Sequence, residues 1–334
     1  MTLAALLQET AAAADTAVAS AQFWQHDLSP DLVRIPFPKI GAIQDGIPIR
    51  FYSLAYLLGL LAAWWLLRRL SRQRRIALDE TGVADLIIPY ALLGVMLGGR
   101  LGYVLFYDVD ADGRWAWLRA PWKVVQIWEG GMASHGGILG VLVAMAWFAR
   151  RRGVRLAHLL DLCCLTAPIG LCLGRIANFI NGELWGRATT VSWAVLFPRT
   201  SLPDAEFVQA HPELHALLQQ GLVPRHPSQL YEALGEGLLL FLLLFGCHRR
   251  LLPRAGATSG LFLLVYGVAR MVCELFREPD AQLGYGWLGM TRGQWLSVGM
   301  VAAGAIWSMR ALRGAAVAWT PPPDPATATK ESTQ

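Results

Sequence analysis

Seven apolar runs dominate this chain and restrict the folds that it can adopt. A helix needs roughly 20 mostly apolar residues to cross a bilayer, and each run is close to that length. Charged residues make up only 16 % of the 334 residues, whereas soluble domains carry about 25 %. The sequence therefore predicts one all-α integral membrane protein. Its seven predicted transmembrane helices cover residues 51–67, 86–105, 130–148, 157–173, 229–245, 260–276 and 293–309.

Arginine clusters at the ends of alternate runs predict the orientation of the chain. They follow the first, third, fifth and seventh runs, and short loops rich in Lys and Arg remain in the cytoplasm. We therefore expect the N-terminus outside and the C-terminus in the cytoplasm. The net charge of +5 is then a topology signal, and no nucleic-acid partner is expected. The clusters contain Arg68, Arg69, Arg72, Arg74, Arg75, Arg150, Arg151, Arg152, Arg155, Arg249, Arg250, Arg254, Arg310 and Arg313.

The apolar runs and their flanks divide the chain into three predicted regions. Residues 1–46 form an external N-terminal arm, residues 47–313 the seven-span membrane catalytic domain, and residues 314–334 a disordered cytoplasmic tail. The domain includes a small external cap at about 185–226. Because the first basic residue is Arg34 and a signal peptide begins with a basic region, cleavage is not expected.

Metal-binding patterns are weak in this sequence. The five cysteines lie in or beside the apolar runs without CxxC spacing, which is typical of small buried apolar residues. The segment HPELH at 211–215 has two histidines four residues apart. Its glutamate does not occupy the position found in HExxH zinc sites, so a solvated cap helix is expected there.

Charged side chains inside the apolar runs indicate a functional site. Each costs roughly 2.5–3.5 kcal/mol at the centre of a membrane helix. With the predicted orientation, they lie in the outer halves of their helices. Tyr52, Arg175 and Asn178 lie at the same outer level. We expect six helices to bring these residues to one depth. The charged residues are Arg100, His135, Glu232, Glu236, Arg270 and Glu274.

The arginines of this layer predict an anion site. Arginine donates two parallel hydrogen bonds to a phosphate, and an uncompensated arginine layer at headgroup depth would bind a lipid phosphate. The alternative is a set of structural ion pairs. Arg270 and Glu274, four residues apart, would form such a locking pair, with Tyr266 on the same helix face.

The residue types available for catalysis restrict the kind of reaction that this protein could perform. No GxSxG nucleophile elbow occurs, and no residue reads as a self-contained nucleophile. His135, followed by Gly136 and Gly137, is a candidate general base. It could equally be a hydrogen-bonded packing residue. A base and an anion clamp without a nucleophile indicate that the substrates bring the reacting groups.

The stretch GRIANFINGELWGR at 174–187 carries a family resemblance. It is similar to the signature GRxxNFxNxExxGR of the bacterial phosphatidylglycerol–prolipoprotein diacylglyceryl transferases. Ala177 departs from the glycine that members often have. Five further blocks resemble the same family, at 98–107, 130–137, 225–232, 266–274 and 276–282.

The resemblance implies a membrane enzyme with seven spans and an external cap. Members transfer the diacylglyceryl group of phosphatidylglycerol to the lipobox cysteine of a prolipoprotein signal peptide. A thioether forms and glycerol 1-phosphate leaves. The implied location is the bacterial cytoplasmic (inner) membrane. The active site would face the outer, periplasmic side and open sideways to membrane lipids. Neither a metal nor a cofactor is expected.

The resemblance also assigns roles to individual residues. His135 is implied to be catalytic, as the expected base, and Arg270 to be essential. Arg175 is implied to bind phosphatidylglycerol. Asn178, Glu183 and Gly186 are implied to shape the lipid site. Tyr266 and Glu274 are implied to hold Arg270. Tyr52 and Tyr103 are implied to line the lipid site. Arg100 joins the substrate-binding set by its depth, and Glu183 could instead orient Arg187.

Two other functions compete with this hypothesis. A lipid or small-molecule transporter would need a polar path through the membrane midplane, but the polar residues stop in the outer half. Asp161 and His158, near the inner face, are interpreted as interfacial. A purely structural membrane scaffold leaves the arginine layer unexplained.

Overall fold

The computed structural model describes residues 23–36, 47–109, 115–126, 130–197, 200, 203, 205–279 and 286–316. The predicted arm at 1–22 and 37–46, and the tail from 317, lie outside the described residues. The chain divides into two compact units. Unit 1 contains Met1–Gly59, Ala167–Leu243 and Phe262–Ala305, and unit 2 contains Leu60–Thr166, Leu244–Leu261 and Ile306–Gln334.

Helices form most of the described chain. Six of them, α1, α2, α5, α8, α9 and α10, are long and apolar enough to cross a membrane, which supports an all-α, multi-pass membrane protein. The helices are α1 (Phe51–Arg72), α2 (Glu80–Phe106), α3 (Ala116–Arg119), α4 (Ser134–Arg152), α5 (Leu156–Ile180), α6 (Ala205–Ala210), α7 (His215–Gln219), α8 (Ser228–Leu251), α9 (Ala257–Glu274) and α10 (Arg292–Arg313). Single 3₁₀ turns occupy Pro121–Val125, Pro212–Leu214 and Trp287–Gly289.

The third predicted span coincides with α4, which is not among the six apolar helices. Its 19 residues begin with Ser134 and His135 and end with Arg150, Arg151 and Arg152. These polar ends lower the mean hydropathy of the helix. The sequence thus predicted the helix, while the count of seven spans remains a prediction.

Two helices contain a widened π-helical stretch. Leu86–Leu92 in α2 includes Pro89, whose ring lacks the N–H needed for a regular helix bond. Ala233–Leu239 in α8 includes Glu236 and Gly237. Such widened turns occur frequently at functional sites, and the second lies within the ion cluster described below.

Short strands build part of unit 1, which the all-α prediction did not include. Strand β1 pairs in parallel with β4, and β4 pairs antiparallel with β5. Strands β2 and β3 form a separate antiparallel pair. The strands are β1 (Trp24–Gln25), β2 (Asp31–Ile35), β3 (Ile47–Arg50), β4 (Val195–Leu196) and β5 (Pro224–Arg225).

The part of unit 1 that includes the predicted cap has its own small apolar core. Phe23 packs into this core, although it belongs to the predicted N-terminal arm. Residues 23–26 are therefore part of the cap, because β1 supplies a strand and Phe23 a buried ring. The core consists of Phe23, Ala194, Leu196, Leu214, Leu217, Leu218 and Val223.

Glycines bring α2 and α4 together in unit 2. A Cβ added to Gly98 would lie 2.4 Å from the carbonyl oxygen of Gly136, and one added to Gly140 would lie 2.1 Å from that of Gly94. Only glycine permits this approach, as expected for small residues spaced four apart in membrane helices. Gly170 and Gly174 in α5 have the same spacing but differ, because a Cβ on either would meet no described atom within 4 Å.

Asp161 and His158 are fully buried in unit 2. Asp161 accepts hydrogen bonds from the backbone N–H of Gly256 (2.7 Å) and from the N–H (2.8 Å) and hydroxyl (2.7 Å) of Ser259. A carboxylate satisfies the free N–H groups at a helix N-terminus, here that of α9. His158 accepts a bond from Ala77 N–H at 3.2 Å. The structure thus gives both residues packing partners.

Candidate functional site

A buried ion cluster joins α5, α8 and α9 in unit 1. Arg175 on α5 contacts Glu232 at 3.1 Å and Glu236 at 3.5 Å. Arg270 on α9 contacts the same two carboxylates, with Glu236 at 3.3 Å. Glu232 and Glu236 lie on one face of α8 and are completely buried. The two carboxylates therefore tie both guanidinium groups to one helix.

Arg270 has a third carboxylate partner in Glu274, four residues later on α9. This confirms the predicted locking pair. Thr291, just before α10, donates its hydroxyl to Glu274 at 2.9 Å. The Tyr266 hydroxyl interacts with Glu236. Arg270 is thus held from its own helix and from α8, and its Glu274 partner is anchored in turn.

The arginine layer was expected to be uncompensated, and that expectation is wrong for this cluster. Three guanidinium groups (Arg175, Arg270 and Arg277) contact three carboxylates (Glu232, Glu236 and Glu274), so the formal charges cancel. Buried charges are tolerated when they are paired. The sequence predicts a common depth for these residues but does not predict their pairing across helices. An incoming anion must therefore compete with carboxylates already in place.

Arg175 has the most exposed side chain of the three arginines in the cluster. Its side chain is 17 % exposed, compared with 12 % for Arg270 and 13 % for Arg277. Of the three, it is therefore the one that an anion reaches most easily.

A hydrogen-bonded network of Tyr52, Asn178 and Glu183 lies at the end of α5. The Tyr52 hydroxyl donates to the Glu183 carboxylate. The Asn178 amide donates to the Tyr52 oxygen and, at 3.1 Å, to Glu183. The structure thus brings together three residues that the resemblance placed in the lipid site.

The chain around Gly186 is confined between two backbone segments. Its N–H donates to His226 O at 2.9 Å, and a Cβ would lie 2.5 Å from that oxygen and 2.6 Å from Phe276 O. Glycine is required here by this close approach. Gln229 adds a bond that the sequence interpretation missed, from its amide to Glu183 O at 2.7 Å. Its position beside Glu232 in α8 was the available signal.

Two side chains at the base of the cap have altered acidity. Burial lowers the pKa of the Arg225 guanidinium, which Glu278 at 3.0 Å partly offsets. Burial also lowers the pKa of His226. This shift favours the neutral form of His226, whose Nδ1 lies 3.2 Å from the Tyr231 hydroxyl.

Arg100, Tyr103 and His135 belong to unit 2. Buried Arg100 donates to the backbone carbonyls of Val124 (3.2 Å), Gly130 and Gly131 (3.3 Å). Its guanidinium lies 5.7 Å from the Tyr103 ring centre. Its contacts in the structure are thus with the segment before α4 and with Tyr103.

Tyr103 packs against the same segment. Gly131 has a φ of +75°, and a Cβ there would lie 2.4 Å from the Tyr103 ring. His135 follows in the first turn of α4 and is exposed. Arg100 and Tyr103 therefore fix the backbone that leads to His135.

Known proteins match most of this chain. The family model for prolipoprotein diacylglyceryl transferase matches residues 38–310. The chain belongs to the prolipoprotein diacylglyceryl transferase family. This confirms the resemblance found in the sequence. Every predicted site residue, from Tyr52 to Glu274, lies inside the matched range, whereas residues 23–36 precede it.

The similarity to relatives extends over most of this chain and nearly the whole length of each relative. Three proteins named phosphatidylglycerol–prolipoprotein diacylglyceryl transferase illustrate this. The one from Rhodospirillum rubrum is 44 % identical over 82 % of this chain and 93 % of its own length. That from Methylocella silvestris is 45 % identical over 81 % and 93 %. That from Paramagnetospirillum magneticum is 45 % identical over 85 % and 98 %.

Proposed function

We propose that this transferase moves the diacylglyceryl group from phosphatidylglycerol to the lipobox cysteine thiol of prolipoproteins. The observation that carries the proposal is the family match over residues 38–310, which includes the ion cluster and the network around Glu183. Relatives that are 44–45 % identical carry the name of this reaction. The same findings favour a transferase over the transporter alternative.

The proposed chemistry is a displacement at the glycerol carbon that carries the phosphate. The cysteine sulfur bonds to this carbon, the carbon–oxygen bond breaks, and glycerol 1-phosphate leaves with the electron pair. His135 takes the thiol proton as general base. A free thiol has a pKa of about 8.5, so a base accelerates the reaction at neutral pH. The exposed position of His135 at the start of α4 supports this role.

The arginines are proposed to bind the phosphate. Arg175 takes the lipid phosphate because its side chain is the most exposed of the three arginines. Arg270 is proposed to be essential for stabilising the charge that develops on the leaving group. Glu232 and Glu236 hold both guanidinium groups in place before the lipid arrives, and such preorganisation is a main source of catalysis.

The remaining residues are proposed to shape the lipid site. Tyr52, Asn178 and Glu183 form one wall through their hydrogen bonds, and Gly186 keeps the cap close to that wall. Tyr266 and Glu274 orient Arg270. Tyr103 and Arg100 act through the segment that precedes His135.

We further propose the membrane arrangement. Helix α4 is the third of seven spans and adds to the six long apolar helices; the N-terminus is outside, and the C-terminus is in the cytoplasm. The protein resides in the bacterial cytoplasmic (inner) membrane, with its site facing the periplasmic side and open to membrane lipids. The cap at about 185–226 covers this side. The arginine clusters in alternate loops support this orientation.

A mass measurement tests the reaction directly. The purified protein is incubated with phosphatidylglycerol in detergent micelles and a peptide that contains a lipobox cysteine. We expect the peptide to gain the mass of one diacylglyceryl group. A peptide with serine in place of cysteine, and micelles of phosphatidylethanolamine, serve as controls. Absence of any mass gain with folded protein would contradict the proposal.

A further inference from the structure

The segment 23–26 lies before the family match and is nevertheless built into unit 1. Strand β1 pairs with β4, and the His26 N–H donates to Leu196 O at 2.9 Å. Phe23 is buried in the cap core. The backbone of His26 is therefore fixed to the cap.

The His26 side chain reaches from the cap to the end of α5. Its Nε2 lies 2.7 Å from the carbonyl oxygen of Phe179. A carbonyl oxygen only accepts, so Nε2 carries the hydrogen and donates it. The ring is 5 % exposed and packs against Phe179 and Phe197, with ring centres 5.6 and 5.3 Å away.

Phe179 belongs to the last turn of α5, where helix carbonyls lack partners within the helix. Its oxygen also accepts the N–H of Gly182 at 2.9 Å. Gly182 has a φ of +64°, and a Cβ there would lie 3.2 Å from the His26 ring. His26 therefore covers the tight turn that separates Asn178 from Glu183.

We propose that His26 is a positioning residue for the network of Tyr52, Asn178 and Glu183. It fixes the end of α5 and the turn at Gly182, and the turn sets the 3.1 Å contact between Asn178 and Glu183. This inference rests on the proposed function, in which that network forms a wall of the phosphatidylglycerol site. In this proposal, a residue of the predicted N-terminal arm supports the substrate-binding site.

The test is the KM for phosphatidylglycerol, measured as its mole fraction in mixed micelles. His26→Phe keeps an aromatic ring and removes the donor. We expect its KM to rise roughly two- to tenfold, the effect of one lost hydrogen bond, with little change in kcat. His26→Gln places an amide N–H at a similar reach, so it should bring the KM back towards the original value.

A second histidine provides the matched control. His215 in helix α7 has its Nε2 3.2 Å from Val208 O. His215→Phe also loses a side-chain contact with a carbonyl oxygen, at an exposed position, and we expect its KM to be unchanged. A purely structural role for His26 would lower the amount of active enzyme and the apparent kcat, but not raise the KM.

The outcomes separate this inference from the proposed function. If the unaltered protein transfers no diacylglyceryl group, the proposed function fails. If it does, and His26→Phe has the KM of the His215→Phe control, the positioning role is wrong. Should His26→Phe not fold, His26→Met replaces it as the variant without a donor. Combining the His26 variant without a donor with Glu183→Gln should raise the KM by less than the product of the two separate effects, because both residues act on one network.

Discussion

Gly237 lies so close to Cys172 that a Cβ on the glycine would be 2.5 Å from the cysteine Cβ. Cys172 precedes Arg175 by one helical turn in α5, and Gly237 follows Glu236 directly in α8. The contact between these two small residues thus sets how closely Arg175 approaches Glu236. The packing distance between α5 and α8 therefore also determines the distance between the two charged side chains.

We expect Gly237→Ala to impair both stability and transfer. Overpacking typically costs about 1–3 kcal/mol, and the helices must separate to admit the methyl group. The measurements are the thermal midpoint in detergent and the rate of diacylglyceryl transfer. Gly246→Ala in the same helix is the control, because a Cβ there meets no described atom within 4 Å. Equal behaviour of the two variants would contradict the packing argument.

The helices could be predicted from the sequence because apolar length is a local property. All seven predicted runs coincide with helices, and most extend further at their basic ends, as α1 does to Arg72. The pairing of Arg175 with Glu232 could not be predicted in this way. It depends on which faces of α5 and α8 meet, and that is decided by contacts such as Gly237 against Cys172.

Arg175→Lys tests the geometry of anion binding. Lysine keeps the charge but cannot contact Glu232, Glu236 and a phosphate with one planar fork. We expect use of phosphatidylglycerol to fall roughly ten- to hundredfold, because a hydrogen bond to a charged group contributes about 1.5–3 kcal/mol. Arg150→Lys, at an exposed arginine of α4, should have no effect. An Arg175→Ala variant with full activity would remove Arg175 from the site.

The balance of charge in the cluster predicts how Arg270 variants behave. Arg270→Gln removes one of the three cations, so Glu274 loses its guanidinium partner while Glu232 and Glu236 keep guanidinium contacts from Arg175 and Arg277. Breaking a buried ion pair costs about 3–5 kcal/mol. We expect a lower thermal midpoint. Adding Glu232→Gln to this variant should recover part of the loss, although activity stays absent. If the second substitution lowers the midpoint further, the two residues do not stabilise each other by charge.

The proposed orientation is open to reporter fusions. Fusions after Arg75, Arg152 and Arg313 should behave as cytoplasmic, and a fusion at Pro203 as external. Enzymatic reporters that are active on only one side of the membrane make the measurement. An external result at Arg152 would contradict the orientation of α4, and with it the outward position of His135.

The contribution of His26 shows a second limit of sequence interpretation. The sequence predicts residues 1–46 only as an external arm, and the family resemblance assigns no residue there a role. The structure places Phe23 in the cap core and His26 on the Phe179 carbonyl. Both contacts join residues more than 150 positions apart, as with His26 and Phe179. No local pattern reports such contacts.

His135→Gln tests the base directly. Glutamine keeps polarity and approximate size, so folding and lipid binding should persist. General base catalysis contributes typically 10²–10⁴-fold, and we expect transfer at pH 7 to slow by that order. His215→Gln, in the exposed part of the cap, is the control and should remain fully active.

The pH dependence of the slow variant then separates a base from a positioning group. With a thiol pKa of about 8.5, the thiolate fraction rises from about 3 % at pH 7 to about 75 % at pH 9. His135→Gln should therefore recover up to roughly twentyfold across this range, because solvent supplies the thiolate that the enzyme no longer makes. The unaltered enzyme should respond much less. A slow variant whose rate stays flat between pH 7 and pH 9 would exclude the base role. His135 would then bind or orient a substrate, and Arg270 would become the candidate for lowering the pKa of the thiol.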